Sequence, residues 1–137
     1  MNEIVSNTHI KVPFCDLDPM NIVWHGNYLK YLELARSELF EYINYSYEQM
    51  HRDNIAYPIA KMDLKYISSA KLHDELNVKC ILKEIEPAII IKYEITNSKT
   101  RQKIFCASSM QICIDINTNE TLYKAPEKLH SLFMEDE

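Results

Sequence analysis

The sequence predicts an α+β domain in which a curved antiparallel sheet wraps around one long central helix. One segment, residues 27–43, carries apolar side chains at intervals of three and four, as an amphipathic helix does. Four long strand-like segments follow it, with short connections that favour antiparallel pairing. One helix covers only one face of such a sheet. The second face and the sheet edges need cover from another chain, which favours a homodimer or homotetramer.

Size and charge restrict the function further. The chain has 137 residues, which fits a single domain spanning residues 1–137. Its net charge of -5 argues against a general nucleic-acid-binding protein, which needs a basic face. No apolar run is long enough to span a bilayer and no signal-peptide pattern is present, so we expect a cytoplasmic protein. We expect neither a metal nor a cofactor, because the four cysteines are scattered and no Gly-rich phosphate loop occurs.

The periodicity of the first third of the chain predicts one strand and the central helix. Residues 9–14 alternate between apolar and polar side chains, which indicates a short strand. The apolar stripe of the helix is so broad that we expect protein to cover most of its surface. Glu33 and Arg36 are spaced for an ion pair on the helix surface. The stripe consists of Tyr28, Leu32, Ala35, Leu39 and Tyr42 or Ile43, widened by Leu29, Tyr31, Leu34 and Phe40.

The rest of the chain predicts a short helix, four strands and a final helix. Ser46 and Gln49 resemble a capping box, which indicates the start of the short helix. Pro126 suits the first turn of the final helix. The strands alternate apolar and polar side chains, and the first of them is expected to have one exposed face. The predicted elements are a helix at 47–52, strands at 60–66, 76–85, 89–96 and 104–116, and a helix at 126–134.

The stretch DLDPMNIVWHGNY, residues 16–28, holds the only glycine and the only tryptophan of the chain. A carboxylate of this stretch could attack a carbonyl or activate water, and the helix that follows presents backbone N–H groups suited to an oxyanion. Gly26 permits close approach of a substrate to that backbone, and Asn27 is a good N-cap. Each residue alone has a plain structural explanation, but their joint occurrence favours chemistry at a thioester carbonyl, whose thiolate leaves readily.

The run DLDPMNIVWHGNYLKYLELAR, residues 16–36, resembles the signature of the hotdog-fold acyl-CoA thioesterases of the 4-hydroxybenzoyl-CoA thioesterase and YbgC-like group. Residues 66–76, YISSAKLHDEL, resemble the strand connection of the same family, Y-x-x-P-A-x-x-x-D. The resemblance implies a hotdog fold. It also implies hydrolysis of an acyl-CoA or acyl-carrier-protein thioester to a free acid and a thiol.

The resemblance further implies roles for individual residues. Asp18 is expected to be the catalytic carboxylate, as nucleophile or general base, and His25 to orient substrate or water. The backbone N–H of His25 would polarise the thioester carbonyl, whereas Asp16 would have a structural role. The expected substrate-binding residues are Trp24, Gly26, Asn27, Tyr28 and Lys71. The basic candidates for binding CoA phosphates are Lys65, Lys71, Lys99, Arg101 and Lys103. If the carrier is the acidic acyl carrier protein, we expect a basic rim around the substrate tunnel.

Two positions depart from the family pattern. Asn21 stands where the family often has glycine, and Ser69 where it often has proline. We expect the first departure to reshape the entrance of the acyl pocket and the second to loosen the strand connection. Both bear on substrate specificity and not on the catalytic groups. Two other functions fit the sequence less well: a hotdog dehydratase acting on 3-hydroxyacyl thioesters, and a non-catalytic module that binds acyl groups or proteins.

Overall fold

The structure is a computed structural model that describes residues 3–135. The elements are β1 (Ile4–Lys11), α1 (Asn27–Tyr42), α2 (Tyr47–Arg52), β2 (Ile55–Ala56), β3 (Ile59–Tyr66), β4 (Glu75–Glu84), β5 (Ala88–Asn97), β6 (Lys103–Asp115), β7 (Thr121–Leu122) and α3 (Glu127–Glu135). The strands pair antiparallel in the order β1-β4-β5-β6, and β2, β3 and β7 also pair with β6. Among residues 3–135, no helix has the length and apolar character that a membrane span requires.

The sheet packs one face against α1. Alternate side chains of β4 and β5 are buried on this face, as their two-residue periodicity predicts. Burying each such aliphatic side chain contributes roughly 1.5–3 kcal/mol. The α+β prediction of an antiparallel sheet around a long helix is confirmed. The buried side chains between the layers include Tyr31, Leu32, Ala35, Leu39 and Phe40 from the helix and Leu76, Val78, Leu82, Ile91, Ile95 and Phe105 from the sheet.

The first strand differs from the prediction at residues 9–14. It runs from Ile4 to Lys11, because its whole length pairs with β4, from Ile4 opposite Leu82 to Lys11 opposite Glu75. Phe14 lies beyond it in a short 3-10 turn and is 72% exposed. The alternation in residues 9–14 therefore indicated a strand correctly but placed both its start and its end too late.

Two expectations about burial were wrong for the single chain. Leu29 and Leu34 on α1 are exposed, so protein does not cover most of the helix surface. Strand β3 was expected to have one buried face, but both faces are largely exposed. Among the described strands β3 pairs only with β6, so it forms an edge of the sheet. These surfaces have no cover within the described chain.

Arg36 was expected on the surface and is instead buried between α1 and the sheet, with 4% exposure. Its Nε donates to the Tyr47 hydroxyl at 2.8 Å, and its Nη1 donates to the Tyr93 hydroxyl at 3.2 Å. Its Nη2 forms the expected ion pair with Glu33. The Tyr93 hydroxyl also shares a hydrogen bond of 2.6 Å with Ser109. The guanidinium therefore joins α1, α2 and the sheet.

Candidate active site

Residues 16–24 form a tight hairpin between β1 and α1. Its two arms pair across Leu17 and Val23. At its tip Asn21 has φ 64°, in the left-handed region that glycine occupies freely and asparagine tolerates. Asn21 therefore takes the backbone conformation that explains the glycine of the family pattern.

Asp18 lies at the turn of this hairpin and is half-buried. Its backbone N–H donates to the carbonyl of Ile22 at 2.8 Å. Its side-chain Oδ1 accepts the backbone N–H of Met20 at 2.8 Å, which is the contact of an Asx turn. This contact orients the carboxylate while occupying only one of its two oxygens.

Asp16 anchors the hairpin to α1. The residue is 3% exposed, and its carboxylate accepts hydrogen bonds from Lys30 Nζ at 2.5 Å and from the Tyr31 hydroxyl at 2.6 Å. Burial by itself would raise the pKa of this carboxyl, but the hydrogen bonds from Lys30 and Tyr31 and the charge of Lys30 outweigh it. The pKa of Asp16 therefore lies below its ordinary value. These contacts fit the structural role that the resemblance implies.

The ionised form of Asp16 stabilises the folded protein over a defined pH range. Because the pKa is lower in the folded protein than the ordinary value of 3.8, the contribution is present above that value and is lost as the pH falls through the folded pKa. In urea unfolding between about pH 5 and about pH 2, wild type should therefore lose more stability than Asp16→Asn. Parallel stability curves for the two proteins would contradict the anchoring role.

The N-terminus of α1 has no side-chain cap. Gly26 occupies the N-cap position. The expectation that Asn27 caps the helix was wrong, since its Nδ2 donates instead to the backbone carbonyl of Asp16 at 2.9 Å. The first backbone N–H groups of a helix lack intrahelical acceptors and carry a partial positive charge. They therefore suit an acceptor that carries negative charge.

The indole of Trp24 covers Gly26. A Cβ atom on Gly26 would lie 2.2 Å from Cζ3 of this ring. The φ of Gly26 is an ordinary −69°, so a Cβ atom here would clash with the ring in its present position and would not strain the backbone. The close approach to Gly26 that we expected of a substrate is made in this structure by Trp24. Trp24 is 50% exposed, and its ring lies 5.0 Å from that of His25.

Substituting Gly26 by alanine should displace the indole at little cost in stability, because the half-exposed ring is free to turn outward. We expect a shift in the emission of this single tryptophan and a lower kcat/KM for the thioester hydrolysis that the resemblance implies. In a Trp24→Ala background the same substitution should have little further effect on kcat/KM. An equal loss in both backgrounds would contradict the role of the contact.

Two tyrosines join the loop to the sheet. Tyr28 is buried, accepts the Ala70 N–H at 3.1 Å and stacks on Phe105 at 5.1 Å between ring centroids. Its contacts are therefore with protein, and its predicted place in substrate binding stays a prediction. Tyr66 is 48% exposed, and its hydroxyl donates to the backbone carbonyl of His25 at 3.1 Å.

Most predicted site residues come together in one loop. Lys71 joins that loop because its backbone bridges to Ile22. Lys99 lies outside this loop, at the turn between β5 and β6, and pairs with Glu75 at 2.9 Å. Within residues 3–135, no three His, Cys, Asp or Glu side chains are grouped so that they could hold a metal ion. The predicted site residues of this region are Asp18, Trp24, His25 and Gly26 in the loop, followed by Asn27 and Tyr28 in the first turn of α1.

The sequence did not reveal three contacts of this site. Lys30 and Tyr31 were counted only as parts of the helix, and nothing in their spacing connects them to Asp16. Tyr66 stood out only as the first residue of the second family motif. Its separation of 41 residues from His25 leaves no periodic signal.

Comparison with known proteins identifies the family. The model of the thioesterase-like superfamily matches residues 12–132. The long-chain acyl-CoA thioesterase FadM of Escherichia coli (strain K12) is 30% identical over 116 residues, which cover 84% of this chain and 87% of FadM. The acyl-CoA thioester hydrolase YbgC of Escherichia coli O6:H1 is 22% identical over 116 residues, which cover 84% of this chain and 86% of YbgC.

The fold agrees with solved structures as well. The DHNA-CoA thioesterase from Staphylococcus aureus has a TM-score of 0.86 and 25% sequence identity to this chain. The alignment covers 96% of this chain and 90% of the other. This likeness confirms the predicted hotdog fold. Together with the match over residues 12–132, it shows that the chain belongs to the thioesterase-like superfamily.

Proposed function

We propose that this protein is a hydrolase that cleaves an acyl-CoA or acyl-carrier-protein thioester to a free acid and a thiol. The observation that carries the proposal is the Asp18 hairpin, which directly precedes a helix N-terminus without a side-chain cap. The family membership supports thioester hydrolysis. FadM and YbgC, which resemble the chain over most of its length, are named as acyl-CoA thioesterases, and this supports CoA as the carrier.

Asp18 has two chemical routes to this product. As a nucleophile, a carboxylate oxygen bonds to the carbonyl carbon, the C–S bond breaks to expel the thiolate, and water then hydrolyses the mixed anhydride. As a general base, Asp18 takes a proton from water as the water oxygen adds to the carbonyl carbon. The C–S bond then breaks, and the thiolate takes that proton.

Both routes place negative charge on the carbonyl oxygen of the substrate. We assign its stabilisation to the backbone N–H of His25 and to the uncapped first turn of α1, where each well-placed donor contributes about 3 kcal/mol. The His25 imidazole is exposed beside Trp24 and Tyr66. This position supports a role in orienting the substrate or water.

We further propose that the enzyme is a homodimer paired through β3. The free edge of this strand carries exposed apolar side chains, among them Ile59 and Leu64. An antiparallel pair centred on Met62 would place each Lys61 opposite an Asp63 of the other copy, whereas centring on Asp63 would oppose two carboxylates. Sedimentation should give the mass of two chains, or of four if dimers associate further. The mass of one chain would contradict the pairing.

Such a dimer would also provide room for the acyl group. An apolar groove of about 420 Å³, lined by Met50, Tyr57 and Ile114 among others, lies beside the start of β3. Tyr66, at the end of β3, contacts His25. Because paired antiparallel strands place the start of one beside the end of the other, the groove of each copy would border the Asp18 loop of its partner. We assign the acyl chain to this groove.

Thiol release from a panel of short, long and aromatic acyl-CoAs and acyl carrier proteins tests the function. Hydrolysis should release thiol and free acid in equal amounts. An enoyl thioester formed from a 3-hydroxyacyl thioester without thiol would instead indicate a dehydratase. Binding of the panel without any reaction would indicate a non-catalytic module. The cytoplasmic location stays a prediction from the sequence.

A further inference from the structure

We infer that Tyr66 is a positioning residue that fixes the peptide group between His25 and Gly26 at the start of α1. The inference rests on the proposed thioester hydrolysis. The Tyr66 hydroxyl donates to the carbonyl oxygen of His25 at 3.1 Å, which ties the end of β3 to the loop that precedes the helix. Within residues 3–135, no other hydrogen bond links the site to the edge strand.

The geometry of the peptide bond explains how a hydrogen bond to a carbonyl orients an N–H donor. A trans peptide group is planar, so the His25 C=O and the Gly26 N–H form one rigid unit and point in opposite directions. Holding the carbonyl therefore sets the direction of the N–H. The preceding peptide group is held in the same way, because the Trp24 carbonyl accepts the Asn27 N–H at 2.8 Å. That contact sets the direction of the His25 N–H.

The N–H groups of His25 and Gly26 lie at the uncapped N-terminus of α1, where the negative charge of the oxyanion would develop. Donors stabilise that charge most when they are already aimed at it before the reaction. One of the two peptide groups is fixed by a local turn, but the other depends on Tyr66, which is distant in sequence. Tyr66 thus acts on the reaction through the backbone of His25 and Gly26.

Packing holds the ring of Tyr66 independently of its hydroxyl. The ring meets Phe105 edge-on at 4.9 Å and Tyr28 at 5.8 Å between centroids. Phe105 is fully buried and Tyr28 is 3% exposed, so both neighbours are firmly placed. Tyr66→Phe should therefore keep the packing and remove only the hydrogen bond to His25.

We expect Tyr66→Phe to lower kcat by between about tenfold and about a hundredfold, with a KM that rises no more than severalfold. The melting temperature and the oligomeric mass should stay those of the wild type. The matched control is Tyr42→Phe, at the opposite end of α1, where the side chain is 65% exposed. The control should retain wild-type kcat and KM.

Binding of two inert analogues of the best acyl-CoA substrate distinguishes a positioning role of Tyr66 from a purely structural one. A structural defect would weaken the binding of both analogues equally. The first is a ketone in which CH₂ replaces sulfur, so that it keeps the carbonyl. The second is a thioether in which CH₂ replaces the carbonyl. Emission of Trp24, the only tryptophan, which lies beside His25, reports binding of either. Tyr66→Phe should weaken the ketone severalfold and leave the thioether unchanged.

The possible outcomes separate this inference from the proposed function. Unchanged kinetics of Tyr66→Phe, or equal weakening of both analogues, would overturn the positioning role while leaving thioester hydrolysis in place. A lower melting temperature with unchanged kcat would identify Tyr66 as fold support only. If wild type hydrolyses no thioester of the panel, the proposed function fails and this inference fails with it.

Discussion

Replacing Asp18 by asparagine should abolish thiol release while leaving the fold intact. The side-chain amide neither attacks a carbonyl nor accepts a proton from water, so we expect kcat/KM to fall by about 10³-fold. The amide oxygen still accepts the backbone N–H of Met20, so the turn of the hairpin is kept. The measurement is thiol release by both proteins at equal concentration, together with their thermal unfolding.

The matched control for this prediction is Glu38→Gln, which neutralises an exposed carboxylate on α1. It should hydrolyse thioesters at the wild-type rate. The inert thioether analogue should bind Asp18→Asn as tightly as it binds wild type, because that analogue has no carbonyl to react. Wild-type turnover by Asp18→Asn would assign the reaction to another group, and loss of the folded state would assign Asp18 to the hairpin alone.

Substituting Arg36 by alanine should cause the largest loss of stability among the changes considered. Burial disfavours the charge of this guanidinium, but the Tyr93 and Tyr47 hydroxyls hold its pKa above the ordinary value, so the group stays charged. Loss of the two hydrogen bonds to these hydroxyls should lower the free energy of unfolding by about 3 kcal/mol. The cavity left by the truncated side chain adds to this loss.

Urea unfolding measures this effect directly. Arg52→Ala is the matched control, because Arg52 is exposed and donates to Gln49 on its own helix. It should change the free energy of unfolding by less than about 0.5 kcal/mol. Arg36→Met keeps most of the side-chain volume but loses the hydrogen bonds. The difference between its loss of unfolding free energy and that of Arg36→Ala would therefore measure the contribution of the cavity. Equal losses for Arg36→Ala and Arg52→Ala would contradict the buried role of Arg36.

The helices and the long strands were predictable because their signals are local. The stripe of α1 and the alternation of β4, β5 and β6 follow from the geometry of single elements. The motif of residues 16–28 likewise located the candidate site, because its acids, imidazole and glycine are adjacent in the chain. The family followed from that motif, and the match over residues 12–132 confirmed it.

Two features depend on the tertiary structure: which face of each element is covered, and which residues distant in the chain are in contact. Periodicity shows which residues share a face, but it does not show whether another element covers that face, so β3 and Arg36 were misplaced. The ion pair of Asp16 with Lys30 and the hydrogen bond of Tyr66 to His25 exist only because folding brings distant residues within 3.1 Å or less. The sequence therefore determined the elements, the family and the catalytic candidates, whereas the contacts that orient those candidates depend on packing between elements that no local pattern encodes.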